Sequence, residues 1–121
     1  MHELGIMTGV ADSVVTAARN ANALSVEQVT LRVGEMTEAI EDALFFAFDV
    51  IKESEPLLAH AELKVVMVTP LSRCLECGAE YEHDRFHMLC PECNGSFTQL
   101  LRGRELQIDN IEVELPDEEE E

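Results

Sequence analysis

The sequence has no tryptophan, one tyrosine and five phenylalanines, so its core has to be built mostly from aliphatic side chains. It is just as poor in positive charge: 8 Lys and Arg stand against 25 Asp and Glu, a formal net charge of -17. That balance repels phosphate backbones and anionic lipid. It argues against nucleic acid and membrane surfaces as partners, and for a cationic protein patch or a metal cation. Long apolar runs are also missing. The longest, Ala43 to Phe48, covers six residues, far below the roughly 20 that a membrane-spanning helix needs. No Lys or Arg precedes Arg19, and no apolar stretch with a small-residue cleavage site follows the start, so no secretory signal is legible. A cytoplasmic location is expected, where four cysteines point to metal binding or redox chemistry rather than a disulfide framework.

What is present reads as a small helix-and-sheet body. Leu4, Met7, Val10/Ala11, Val14/Val15 and Ala18 recur at the spacing of one helical face, which predicts a helix over about residues 4 to 22. Gln28 to Val33 alternates polar and apolar as a half-buried strand does, and Gly34 closes it. Thr37 is positioned as the N-cap of a second helix, with Glu38, Glu41 and Asp42 at the positive end of its dipole. Ile40, Leu44, Ala47/Phe48 and Ile51 form its stripe, and it is expected to end near Ser54, ahead of Pro56. Leu63 to Val68 is a nearly continuous β-branched run, which predicts a strand covered on both faces and ended by Pro70. In the last strand, apolar positions Leu106 and Ile108 resume one residue out of step at Ile111, Val113 and Leu115, a slip that predicts a bulge or bend at Asp109-Asn110.

The stretch between the last two apolar strands, residues 71 to 100, has few branched aliphatics and holds all four cysteines. It reads as a module inserted into a discontinuous body. The expected fold class is α+β, two helices packed on a small sheet of about three strands, with an inserted zinc-ribbon-like module. The expected divisions are residues 1–70 plus 101–116 for the body, 71–100 for the module and 117–121 for an acidic, frayed tail.

The cysteines fall in two C-x-x-C knuckles, Cys74-Leu75-Glu76-Cys77 and Cys90-Pro91-Glu92-Cys93. Two intervening residues fold the chain so that both thiolates point at one ion, and the second knuckle completes a tetrahedral set suited to Zn(II). A rubredoxin-type iron uses the same geometry. A thioredoxin-like pair needs only one such motif at a strand-to-helix junction. A four-cysteine site has no open coordination position, so the expected role of the metal is structural. Gly78 and the Asn94-Gly95 pair follow the knuckles where left-handed turns bring backbone amides to the sulfurs.

The first residues, Met1-His2-Glu3-Leu4, carry a second metal chemistry. A terminal amine on Met1, the backbone nitrogen of His2 and the His2 imidazole can close fused chelate rings on one ion, and such an in-plane nitrogen set selects Ni(II) or Cu(II). The chelate works only at a true amino terminus. Taken alone, a histidine in second place also reads as an exposed residue ahead of a helix; combination with the rest of the chain gives it meaning. His83 and His87, four apart, would share one face of a short helical turn, either as ordinary surface residues or as a further nickel ligand, while His60 reads as an ordinary residue at the start of a strand.

A chain opening Met1-His2-Glu3-Leu4, with paired C-x-x-C knuckles in its second half and closing Gly103-Arg104-Glu105-Leu106-Gln107-Ile108 before Ile111-Glu112-Val113-Glu114, resembles the HypA/HybF hydrogenase-maturation nickel chaperones. The resemblance implies a non-enzymatic function: Ni(II) bound by Met1 and His2, with Glu3 giving a backbone nitrogen or orienting the site, and structural Zn(II) bound by Cys74, Cys77, Cys90 and Cys93. It implies delivery of nickel with the GTPase HypB towards the large subunit of a [NiFe] hydrogenase or its maturation complex, and in some organisms towards urease. Where some relatives place histidines beside the cysteines, this chain has Gly78 and Asn94. The alternative function is a zinc-ribbon protein-interaction module without nickel transfer. As a nucleic-acid module the ribbon would need basic residues, and the 71 to 100 stretch has only Arg73 and Arg85. No set of nucleophile, base and oxyanion donors is legible.

Overall fold

The computed structural model describes residues 3 to 117. In chain order these form helix α1 (Glu3–Asn20), strand β1 (Ser25–Gly34), helix α2 (Glu41–Lys52) and strands β2 (Glu62–Val68), β3 (Leu71–Cys74), β4 (Glu80–Glu82), β5 (Thr98–Arg102) and β6 (Leu106–Glu114). Short 3-10 turns lie at Glu35–Thr37 and Pro56–Leu58. The strands make two three-stranded sheets, ordered β2-β1-β6 and β4-β3-β5. The chain divides into two compact units: one comprises the residues up to Leu31, Ala39–Val65 and those from Ile108 onward, the other Arg32–Glu38 and Val66–Gln107.

In the first unit, α1 buries Met7, Val10, Ala11, Val14, Val15 and Ala18, the face set by the sequence spacing, and packs against α2. α2 buries Leu44, Ala47 and Phe48, and β1 adds Val26, Val29 and Leu31, so the core is aliphatic with one ring. α1 ends in a double hydrogen-bonded cap: Asn22 takes the left-handed conformation at φ 58, and the amides of Asn22 and Ala23 donate to Arg19 O and Ala18 O at 3.0 and 2.9 Å. Asparagine tolerates that conformation, and the two bonds satisfy carbonyls the helix end leaves open.

α2 begins differently from the sequence expectation. Thr37 is not its cap; Thr37 lies in the 3-10 turn and its hydroxyl donates to Gly34 O at 2.8 Å. Glu38 then adopts φ 63, a left-handed step that breaks helical continuity, and the helix starts only after Ile40. The Ile40 amide donates to a Glu3 carboxylate oxygen at 3.1 Å. A glutamate from the first turn of α1 therefore satisfies an orphan donor of α2 and places negative charge at its positive end. The C-terminal end falls at Lys52 rather than Ser54, and the Glu53 and Ser54 amides bond back to Val50 O and Ile51 O.

β2 is an edge strand, and its residues alternate between exposed and half-buried up to Val68. The expectation of a strand covered on both faces is corrected: the β-branched run reflects strand propensity, and Lys64 and Val66 face solvent. In β6 the half-buried positions are Ile108, Ile111 and Val113, with Asp109 and Asn110 both exposed, which is the expected slip. The extra residue, however, lies on β1 and not in this last strand, where the bulge was expected. Leu24 N–H donates to Glu114 O and Gly34 N–H to Glu105 O, so the step from Leu24 to Gly34 is one residue longer than that from Glu105 to Glu114.

Candidate metal centre

In the second unit β3 is the central strand of its sheet. It pairs antiparallel with β4 through Leu71↔Glu82, Ser72↔Tyr81 and Arg73↔Glu80, and antiparallel with β5, with an irregularity between Leu71 and Ser72. Side-chain ties brace the sheet. Arg73 donates to Glu80 at 2.8 and 3.2 Å, and Arg102 donates to the Glu82 carboxylate and, at 3.0 Å, to Thr69 O. The end of β3 delivers Cys74.

The two knuckles repeat one hydrogen-bond pattern. At the first, Gly78 N–H donates to Cys74 O at 2.9 Å and Cys74 N–H to Ala79 O at 2.8 Å; at the second, Asn94 N–H donates to Cys90 O at 2.7 Å and Cys90 N–H to Gly95 O at 3.0 Å. Gly78 at φ 81 and Asn94 at φ 59 supply the left-handed step each turn requires, as the sequence suggested. Leu75 N–H donates to Phe97 O at 2.9 Å, fixing the first knuckle to the approach to β5.

All four sulfurs lie within 4.8 Å of one another. Cys74 and Cys93 are 3.5 Å apart and Cys77 and Cys90 3.6 Å, too far for a disulfide bond of about 2.05 Å. They are close to the edge of roughly 3.8 Å of a tetrahedron whose metal–sulfur bonds are about 2.3 Å. Cys74 and Cys90 are buried while Cys77 and Cys93 face solvent. Amides of Cys77 and Glu76, with neighbouring thiols, hold Cys74 at about 7 against its burial. Cys93 accepts from the Gly95 amide, yet its thiol neighbours, Cys74 foremost, and burial push it up to about 12. One thiolate forms readily and its neighbours then resist ionisation; a divalent cation is what lets all four ionise together. The donor set fits zinc.

Two features beyond the cysteines hold this centre. Tyr81, the one tyrosine of the chain, is buried with Cys74 and Cys90 in a cluster that Ala79 flanks, and its hydroxyl donates to Met88 O at 2.8 Å. Its uniqueness was the signal available in the sequence. Gly95 leaves room that a Cβ would take from the Glu76 carboxylate and, at 3.2 Å, from Cys93 Sγ.

The histidines of the module do not share a helical face. His83 is half-buried and engaged at both ring nitrogens, Nε2 with Ser72 Oγ at 2.8 Å and Nδ1 with Asp84 O at 2.7 Å. Asp84 forms an Asx turn, accepting from the Phe86 and His87 amides at 2.8 and 2.9 Å and meeting His87 Nδ1 at 2.8 and 2.9 Å. The His87 ring and the Phe86 amide hold the Asp84 carboxyl below its usual value. His60 is exposed in a turn ahead of β2. Of the nickel motif, Met1 and His2 lie outside the described residues, and Glu3 opens α1 with its carboxylate on the Ile40 amide.

Fold and site together define a small α+β protein with a four-thiol cluster able to hold a metal ion. Residues 1–113 match the family described as "Hydrogenase/urease nickel incorporation, metallochaperone", and the chain belongs to this HypA family. It is 33% identical over 114 residues to the hydrogenase maturation factor HypA of Trichodesmium erythraeum, covering 94% of this chain and 96% of that one. To the same factor of Methanococcus maripaludis it is 35% identical over 127 residues, covering 98% of this chain and all of that one. The fold resembles the solution structure of the Ni metallochaperone HypA from Helicobacter pylori, with a TM-score of 0.68 at 19% identity, covering 96% of this chain and all of that one. The family is one of metallochaperones and maturation factors rather than enzymes, and its hydrogenase role implies contact with the maturation machinery. Among the described residues, no helix is long and apolar enough to cross a membrane.

Proposed function

We propose that this chain is a nickel carrier: Met1 through its amine and His2 through amide and imidazole chelate Ni(II), Glu3 orients the chelate, and Cys74, Cys77, Cys90 and Cys93 hold structural Zn(II). Nickel passes with the GTPase HypB towards the large subunit of a [NiFe] hydrogenase, or in a urease-containing cell towards urease. Residues 1–70 with 101–116 serve nickel and 71–100 serve zinc. The observation that carries this reading is the family match over residues 1–113 in a chain that places His2 and Glu3 directly behind Met1. The Glu3 carboxylate is already engaged with the start of α2, which favours a positioning part or a backbone nitrogen for Glu3 over a carboxylate ligand. Amine and imidazole must shed protons to bind, so affinity falls as pH drops through about 8 and then about 6.5. That dependence suits release as well as capture.

The test is a nickel titration at neutral pH on zinc-loaded protein whose mature terminus is the free Met1 amine. A planar nitrogen-rich spectrum is expected, abolished by His2→Ala and by one residue added ahead of Met1. Nickel binding that survives both changes overturns the terminal chelate. A zinc-ribbon module without nickel transfer would bind its partner equally well in the His2→Ala protein and carry no nickel.

A further inference from the structure

The two helices present different outward faces. Leu44, Ala47 and Phe48 of α2 are buried, and Asp42, Phe45, Phe46, Asp49, Val50 and Glu53 all lie exposed. Their numbers step by three and four residues, so they form one stripe along the helix and its first residue beyond. Phe46 is 72% exposed, Val50 43% and Phe45 37%. Along the middle of α1, by contrast, the outward residues are Thr8, Gly9, Asp12, Ser13, Thr16 and Ala17, small or polar groups that water covers without cost; the one large apolar side chain this helix exposes is Leu4 in its first turn. Isolated exposed apolar side chains are ordinary; two phenylalanines and a valine side by side, edged by acids, are the pattern of a binding face.

We propose that this stripe of α2 docks a basic amphipathic helix of a partner protein, Phe45, Phe46 and Val50 covering its apolar ridge while Asp42, Asp49 and Glu53 meet flanking Lys or Arg. The charge decides the occupant. The only basic residue of α2, Lys52, has its amine 5.7 Å from the Phe48 ring, and the exposed stripe itself carries acids and no base. A second copy of this chain would set the same acids against themselves, and a chain of net charge -17 is repelled by anionic lipid. A cationic helix is complementary in both respects.

The experiment needs no nickel and so stands or falls apart from the terminal chelate. Zinc-loaded full-length protein is titrated, at physiological salt, with a synthetic Leu/Lys amphipathic helix and with a control peptide in which Ser replaces Leu, following backbone amide shifts by NMR. The Leu/Lys peptide is expected to shift α2 amides, and Phe46→Ser with Val50→Ser to weaken binding about tenfold or more. Asp42→Asn with Asp49→Asn weakens it and flattens its salt dependence, whereas Asp12→Asn on α1 leaves it unchanged. Phe46 and Val50 are exposed, so these variants keep the fold, which circular dichroism checks. Equal binding of the Ser/Lys control, or unchanged binding by the Phe46→Ser, Val50→Ser protein, overturns the proposal. So does sedimentation showing a dimer that Phe46→Ser converts to monomer, which would assign the face to self-association.

Discussion

Replacing Gly34 by alanine probes a close approach of two backbone segments, Gly34 and Gly103. Gly34 has ordinary extended angles, φ -76 and ψ 141, so its glycine is not required by conformation. It is required by space: a Cβ there would fall on the carbonyl of Gly103 and 2.6 Å from the Arg104 amide nitrogen, inside the 3.0 Å that real Cβ atoms keep. These neighbours are backbone and cannot swing away. Relief means moving the Gly103 turn, which breaks Gly34 N–H to Glu105 O at 2.7 Å and Met36 N–H to Gly103 O at 2.8 Å. An orphaned buried donor costs roughly 1–3 kcal/mol and overpacking roughly 1–3 kcal/mol more. The variant is therefore expected to lose at least about 3 kcal/mol, a large share of the roughly 5–15 kcal/mol of a typical domain. Two other glycines calibrate the series. Gly9 lies on an exposed stretch of α1 with nothing near its missing Cβ, so Gly9→Ala should gain about 0.5–1 kcal/mol. Gly78 also has open space but sits at φ 81, so Gly78→Ala should cost about 1–2 kcal/mol through left-handed strain alone. Urea unfolding of the zinc-loaded proteins, with comparable slopes, gives the ranking. A Gly34→Ala protein within about 1 kcal/mol of the parent would refute the steric account.

Three further outcomes are expected. Chelating the metal, or Cys74→Ser, should unfold the module around β3 while helical circular dichroism from α1 and α2 persists, because the buried cluster there is only Cys74, Tyr81 and Cys90 and cannot offset ordering alone; unchanged protease resistance of the metal-free module would contradict this. The Asp84 carboxyl is depressed mainly by His87, so its contribution is present above the ordinary value of 3.8 and is lost as pH falls through the lower folded value; His87→Ala should raise the carboxyl titration measured by NMR, and an unmoved curve would assign the shift to the backbone amides instead. Nickel added to zinc-loaded protein should bind without displacing zinc if, as proposed, the four thiolates close a tetrahedron and the terminal nitrogens form a separate set; zinc release in step with nickel uptake, read with a metallochromic dye, would place nickel at the cysteines.

The parts legible in the sequence are those encoded by local spacing. The knuckles needed only C-x-x-C and a following Gly or Asn, and the inward face of α1 needed only a helical period. What failed was decided at longer range. Thr37 looked like a cap because it stands just ahead of an amphipathic run, but the residues after Gly34 are drawn into the close approach to Gly103, and the role of capping α2 falls to Glu3, far away in sequence. Leu63 to Val68 has the composition of a central strand, yet its place at the edge of β2-β1-β6 leaves alternate residues in water. His83 gave no sign that both its nitrogens would be used, because Ser72 reaches it only through the β3–β4 pairing.

That occupancy of His83 bears on how the proposed carrier keeps its metals apart. A histidine close in sequence to a zinc site competes for metal only if a ring nitrogen is free, and here Ser72 Oγ and Asp84 O take both. His87 has Nδ1 on the Asp84 carboxylate, which fixes that end of the ring. At the positions flanking the knuckles the chain places Gly78 and Asn94, whose left-handed angles serve the turns and whose side chains offer no imidazole. Immediately beside the knuckles the four sulfurs thus have no imidazole competitor, and a closed four-thiolate set leaves no open position for a further ligand. Nickel, which favours planar nitrogen donors, is left with the amine, amide and imidazole of the proposed terminal site. Separation of the two ions then follows from donor chemistry at each site: all-sulfur and closed at one, all-nitrogen and protonation-sensitive at the other.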